Sequence, residues 1–169
     1  GIAGSFKALD RLPAGGRAAA QEDFAVALAF NWVVGGTDAH AKNYSAYVGP
    51  EGTLTPLYDL SSFAPYTAPF FDKARETMSM MKMPMRVSGN ERFGDLDRMH
   101  WASIARDARL ESRLLIDVIA SMASYVPIIW AAEMLQLAQV DETLLTPVVI
   151  SSADALTAWC DEVLKVLDV

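Results

Sequence analysis

Cysteine is nearly absent from this sequence: Cys160 stands alone among 169 residues, so an internal disulfide framework is excluded. A chain without disulfides suits a reducing compartment, and a cytoplasmic location is expected. Histidine is almost as scarce. With only His40 and His100, no Cys/His cluster has zinc-ligand spacing. Basic residues thin out toward the end: residues 114–169 hold one against eight acidic groups, residues 1–71 hold four against six, and residues 72–113 hold nine against seven. The net charge of −7 is therefore concentrated in the last third, a poor surface for a phosphate backbone, and direct nucleic-acid contact is not expected. Apolar runs of roughly 20 residues, the length a membrane span needs, are read as missing, because Asn31, Asp117 and Glu133 interrupt the candidates. No membrane partner is expected. No Met leads the chain, and Gly1 to Phe6 lacks the basic-plus-apolar pattern of a signal peptide. The chain is read as beginning inside a longer protein or after an expression-tag scar.

What is present is apolar content: 52% of residues are hydrophobic and 21% charged, enough to bury the core of one soluble domain spanning residues 1–169. Residues 1–22, with Pro13-Ala14-Gly15-Gly16, read as an irregular lead-in. Phe24 to Val34 is apolar nearly all round, the pattern of a buried helix, and Gly35-Gly36 ends it. Residues 44–48 and 53–58 read as a hairpin around Gly49-Pro50-Glu51-Gly52, finishing at Asp59. In residues 61–90, Pro65, Pro69 and Pro84 punctuate a stretch rich in Phe and Met. Its methionines are read as filling a core from short strands in preference to forming a soft partner surface.

Val87-Ser88-Gly89-Asn90 is a turn, and residues 91–169 read as helical. The first of these helices takes Asp95 as its N-cap and places Leu96, Met99, Ile104, Ala105 and Ala108 near one face. A second covers Glu111 to Tyr125 with Leu115, Val118, Ile119 and Met122 inward, and Pro127 either kinks it or starts another. Ser151 and Asp154 suggest a capping box for the last helix, whose apolar stripe includes Trp159 and Cys160 and makes that cysteine a core residue. The fold class is mainly α with a small β-hairpin region, with residues 23–90 carrying the loop and hairpins.

The chemistry-bearing stretch is Gly36-Thr37-Asp38-Ala39-His40-Ala41-Lys42-Asn43, set directly behind the buried helix. Asp38 and Asn43 have the spacing D-x-x-x-x-N, and Asp59 follows one hairpin later. In phosphoryl transfer one carboxylate takes the attacking hydroxyl's proton, while an Asn oxygen and a second carboxylate hold Mg²⁺ against the ATP phosphates. The spacing alone occurs often by chance; the order buried helix, loop, hairpin, Asp is more specific. Plainer roles stand beside these. Asp38 could cap a turn, Asn43 could be a left-handed turn residue, and Asp59 could end a strand. His40 could order the loop, Lys42 could be a solvated charge, and His100 is read as structural.

Phe30-Asn31-Trp32-Val33-Val34-Gly35-Gly36-Thr37-Asp38-Ala39-His40-Ala41-Lys42-Asn43-Tyr44-Ser45, followed by Leu54-Thr55-Pro56-Leu57-Tyr58-Asp59-Leu60, resembles the C-terminal lobe of HipA-type serine/threonine kinases, the toxins of bacterial toxin–antitoxin pairs. Arg86 to Asp95, leading to His100-Trp101, is similar to the same family's hairpin-to-helix passage. The resemblance implies a protein-kinase-like C-lobe with Asp38 as catalytic base, Asn43 and Asp59 as Mg²⁺ ligands, and His40 and Lys42 near the transferred phosphoryl group. It also implies ATP as substrate, a protein acceptor such as an aminoacyl-tRNA synthetase, and a DNA-binding antitoxin as partner. Gly36-Thr37 stands where general kinases have H-R before the Asp, and Leu60-Ser61 replaces F-G after Asp59. No glycine-rich phosphate loop and no V-A-x-K strand occurs in these residues, so the chain is read as a C-lobe without its N-lobe and is not expected to phosphorylate by itself. The alternatives are a small-molecule phosphotransferase lobe, a non-catalytic domain that docks an antitoxin and, least favoured, a metal-dependent hydrolase.

Overall fold

The computed structural model describes the backbone of residues 1–169 and the side chains of residues 1–67 and 73–169; Pro69, one of the three prolines singled out above, lies outside the described side chains. Helices dominate, with two small antiparallel strand pairs, as the composition and patterning lead one to expect. The first residues are more ordered than expected. Helix α1, Ile2–Leu9, buries Ile2, Phe6 and Leu9, and α2 already starts at Ala14 and runs to Val33. Glycines obscure both in the sequence, and one of them has a packing reason. A Cβ on Gly16 would run into the carbonyl oxygens of Glu51 and Gly52, so this glycine lets the hairpin tip lie directly on α2.

Helix α2 is buried nearly all round from Phe24 to Val33, as its apolar run predicts. It stops in a Schellman arrangement: Gly35 takes φ 69°, its N–H donates to Trp32 O at 3.2 Å, and Gly36 N–H donates to Asn31 O at 2.7 Å. The hairpin that follows is short, β1 Ala46–Tyr47 against β2 Thr53–Leu54. After a 3₁₀ stretch, Ala64–Lys73, comes α3, Ala74–Met80. Strands β3, Lys82–Val87, and β4, Asn90–Arg92, then pair around Ser88-Gly89, both at positive φ, as a two-residue hairpin turn requires. Met78 and Met85 go into the core and Met80 points outward, so core filling holds for part of the methionine cluster.

Three helical boundaries differ from expectation. Asp95 belongs to a 3₁₀ turn, Phe93–Asp95, and the N-cap of α4, Arg98–Asp107, is Asp97, which accepts from Met99 N and His100 N. The shift turns Met99 out to solvent and sends Trp101 into the core. The backbone N–H of Asp97 donates to His100 Nδ1 at 3.2 Å, the reciprocal half of this capping box, which gives His100 a structural place. Helix α5 runs unbroken over Ser112–Val140 with Pro127 inside it. Proline removes one rung of the ladder, but Ala123 is buried before it, and Trp130 Nε1–H donates to Ser152 Oγ at 2.9 Å after it, so packing on both sides holds the helix in line. Helix α6, Pro147–Leu167, begins at Thr146, whose hydroxyl accepts from Val149 N, and Ser151 lies inside it. Pro147 at the first helical position explains the earlier start.

By length and composition α5 could cross a bilayer, which corrects the reading that no segment is apolar enough. One face of its first half packs into the core all the same: Leu115, Ile116 and Ile119 are buried.

One contiguous core extends from Ile2 to Leu167. At its centre Trp32 lies 5.0 Å from Trp101 and 6.0 Å from Trp159 between ring centroids. Trp32 Nε1–H donates to Phe93 O and Trp159 Nε1–H to Trp32 O, each at 3.0 Å. The C-terminal end of α2 is thus held by the two flanking segments through hydrogen bonds as well as packing. Cys160 is buried beside it, and burial, with the nearby Asp161 charge, pushes its thiol up to about 12. It is a core residue, not a nucleophile.

Candidate active site

The Gly36–Asn43 loop leaves this fixed helix end and folds back on itself. Asn43 is buried, and its Nδ2 donates to the backbone carbonyl of Asp38 at 2.8 Å, while its N–H donates to His40 O at 2.9 Å. These two bonds close the loop between the members of the D-x-x-x-x-N pair. Asn43 lies in a 3₁₀ turn, Ala41–Asn43, so its plainer reading as a left-handed turn residue does not hold. Asp38 presents its carboxylate to solvent, 68% exposed, with His40 Nε2 3.9 Å from Oδ1. Lys42 is also exposed.

The segment carrying Asp59 is fastened at both ends, to the loop on one side and to the end of α2 on the other. Tyr58 O–H donates to Lys42 O at 3.0 Å, which leaves the Ser45 hydroxyl as donor to the Tyr58 oxygen at 2.8 Å. On the other side Ser62 Oγ–H donates to Val34 O at 2.6 Å, and Phe63 N–H to Gly35 O at 2.9 Å. Between these anchors Asp59 is exposed and sits at φ 55°, a left-handed conformation. It does not terminate a strand, since β2 stops at Leu54. A non-glycine residue held in this region by its surroundings is a feature that clusters at functional sites.

Two supports escaped sequence reasoning. Asn31, buried in α2, donates from Nδ2 to Ala27 O at 2.9 Å and to the Tyr44 hydroxyl at 3.1 Å. A Cβ on Gly36 would come within 2.5 Å of its Oδ1, so the glycine makes room for the amide. Burial raises the Tyr44 hydroxyl to about 12, against the lowering effect of the Asn31 bond. The signal was an amide inside an otherwise apolar run, which has to find partners. Tyr58, next to Asp59, gave no comparable signal.

The model of the HipA-like C-terminal domain family matches residues 1–130. The chain belongs to this family. Among curated proteins, "Putative kinase Y4mE" of Sinorhizobium fredii is 35% identical to this HipA-like domain over 80 residues, which cover 47% of the chain and 17% of that relative. Among solved structures, HipA from the Shewanella oneidensis MR-1 toxin–antitoxin complex of HipA, HipB and operator DNA superposes with a TM-score of 0.75 at 25% identity. That match takes in 99% of this chain and 38% of the HipA chain. The HipA-like domain thus spans well under half the length of either relative, and the kinase-like C-terminal architecture is shared over nearly all of its own length.

Proposed function

We propose that this HipA-like domain is the catalytic lobe of a kinase that moves the γ-phosphoryl group of ATP to a serine or threonine hydroxyl of a protein. The observation that carries the reading is the closed loop, in which the Asn43 amide holds the Asp38 backbone while Tyr58 ties the Asp59 segment to the loop at Lys42 and Ser62 ties it to the helix end at Val34. Asp38 would accept the proton of the acceptor hydroxyl as its oxygen attacks the γ-phosphorus. A new O–P bond forms, the bond to the β–γ bridging oxygen breaks, and ADP leaves with that oxygen.

Asn43 spends Nδ2 on the loop, which leaves Oδ1 as an acceptor, and Asp59 adds a carboxylate, so both are hard oxygen donors of the kind Mg²⁺ takes. Among the described residues no group of three or more His, Cys, Asp and Glu could hold a metal. Mg²⁺ uses one or two protein carboxylates and completes its shell with phosphate oxygens and water, a demand that Asp59 together with Asn43 Oδ1 would meet. When bound, that ion would neutralise charge on the phosphates. His40 and Lys42, exposed on the loop, would lie near the transferred group.

The Shewanella neighbour was solved with HipB and operator DNA. By that likeness we read the parent protein as a toxin whose partner is a DNA-binding antitoxin, which would make any DNA contact indirect. The family resemblance supports an aminoacyl-tRNA synthetase as acceptor. ATP phosphotransfer by the full-length protein is the test. Asp38→Asn should lower it by about 10²–10⁴-fold, the contribution of a positioned base, with an unchanged melting temperature. Activity within about threefold of wild type would remove Asp38 from the role.

A further inference from the structure

Apolar surface gathers beside the loop. A cavity of about 310 Å³ is lined by Phe30 of α2 and Val34 at its C-cap, by Leu60 immediately after Asp59, and by Ile129, Trp130 and Glu133 of α5. Its walls are built in advance. Ser62 bonds Val34 O, and the Trp130 indole is fixed by Ser152. Yet Leu60 and Ile129 remain 50% and 56% exposed. Pre-fixed walls with exposed aliphatic side chains at the mouth suit an apolar anchor inserted from another molecule.

Charge and position select the occupant. Glu133 is the charged residue in the lining, Asp59 adjoins Leu60 at the other end, and residues 114–164 contain no Lys or Arg. A second copy of the chain would set its acidic last third near another, and an anionic bilayer would meet the same repulsion, whereas a cationic segment is attracted. Val34 lies just before the Asp38 loop and Leu60 just after Asp59, so a polypeptide seated here is continuous with the phosphotransfer site.

We propose that this groove takes a bulky apolar side chain of the phosphoacceptor protein, with a neighbouring Lys or Arg paired to Glu133. The proposal rests on the phosphotransfer reading. It assigns part of acceptor specificity to α5 of this lobe.

The test uses the full-length protein and short fluorescent peptides with a fixed Ser, in which one Leu and one Lys are walked through the flanking positions. Anisotropy without nucleotide reads docking, and parallel reactions with Mg·ATP read transfer. At least one register should bind. Ile129→Glu should weaken it about tenfold or more, as loss of a central anchor does, and Glu133→Lys should reverse the preference from Lys to Glu peptides. Both side chains are exposed, and circular dichroism melts check that the variants fold. If no register binds, or if Ile129→Glu binds and is phosphorylated like wild type, the groove proposal fails while phosphotransfer stands. Groove-dependent binding with no transfer in any register would sink the phosphotransfer reading and, with it, the acceptor as occupant. Ile129-dependent dimerisation or capture on anionic vesicles would overturn the occupant as well.

Discussion

The bond between Asn31 and Tyr44 can be weighed by a double-mutant cycle of Asn31→Ala and Tyr44→Phe. Asn31 is 6% exposed and donates to the Tyr44 hydroxyl at 3.1 Å as well as to Ala27 O at 2.9 Å. Asn31→Ala leaves the Tyr44 hydroxyl, largely removed from water, without its donor, and stranding a buried polar group costs about 1–3 kcal/mol. Tyr44→Phe is milder, because the Asn31 amide keeps Ala27 O, so the loss is that of one net hydrogen bond, about 0.5–1.5 kcal/mol. Once either partner is gone, removing the other forfeits nothing across the pair. The double variant should therefore fall short of the sum by about 0.5–1.5 kcal/mol. Urea titration measures this directly. For a chain of 169 residues each kcal/mol also moves the melting temperature by about 2–4 °C. Tyr44 directly follows Asn43, so both single variants should also speed hydrogen exchange at the Asn43 amide. Additivity within about 0.3 kcal/mol and unchanged exchange would refute the claim that α2 steadies the end of the loop through this pair.

Gly35→Ala should destabilise by more than about 1 kcal/mol, since φ 69° is costly for any side chain and a Cβ there would meet Met78 Cε; a chemical denaturation midpoint that does not move would contradict the described helix end. Alkaline stability should report on Tyr44. Its folded pKa of about 12 lies above the unfolded value of roughly 10, so the unfolded chain loses that proton first. The contribution is complete below about pH 10 and disappears as pH rises toward about 12. Wild type should therefore lose more stability over that interval than Tyr44→Phe, and parallel losses in the two proteins would show that Tyr44 is not buried as described.

Long apolar patterns carried their structural message well: the all-round burial of Phe24 to Val33, its arrest at two glycines and the stripe around Trp159 were all legible. The loop was legible as a spacing, but its closure was not, because one amide reaching one carbonyl leaves no periodic trace. Where the reading went astray, a nearby residue of the same kind won. Asp97 replaced Asp95 as a cap and Thr146-Pro147 pre-empted Ser151, since several polar residues before a helix can each serve and tertiary packing picks among them. Helix α1 was missed because Gly4 weakens its propensity, while Ile2, Phe6 and Leu9 supply a face that matters only once α2 is beside it. Pro127 sits in a continuous helix for the same reason: contacts distant in sequence override a local breaker.

The hydrogen bond from Trp159 to the carbonyl of Trp32 closes a separation of 127 residues. Seen from the ribosome, this means that the helix end from which the Asp38 loop departs is made early and steadied late. A nascent chain that has emerged through α5 already contains Asp38, Asn43 and Asp59, but still lacks the α6 indole that packs on Trp32 and the Cys160 sulfur that approaches Val33 O. Contacts of such long range form late in folding. The order of synthesis therefore delays the final fixing of this helix end until nearly the whole of this segment has been made.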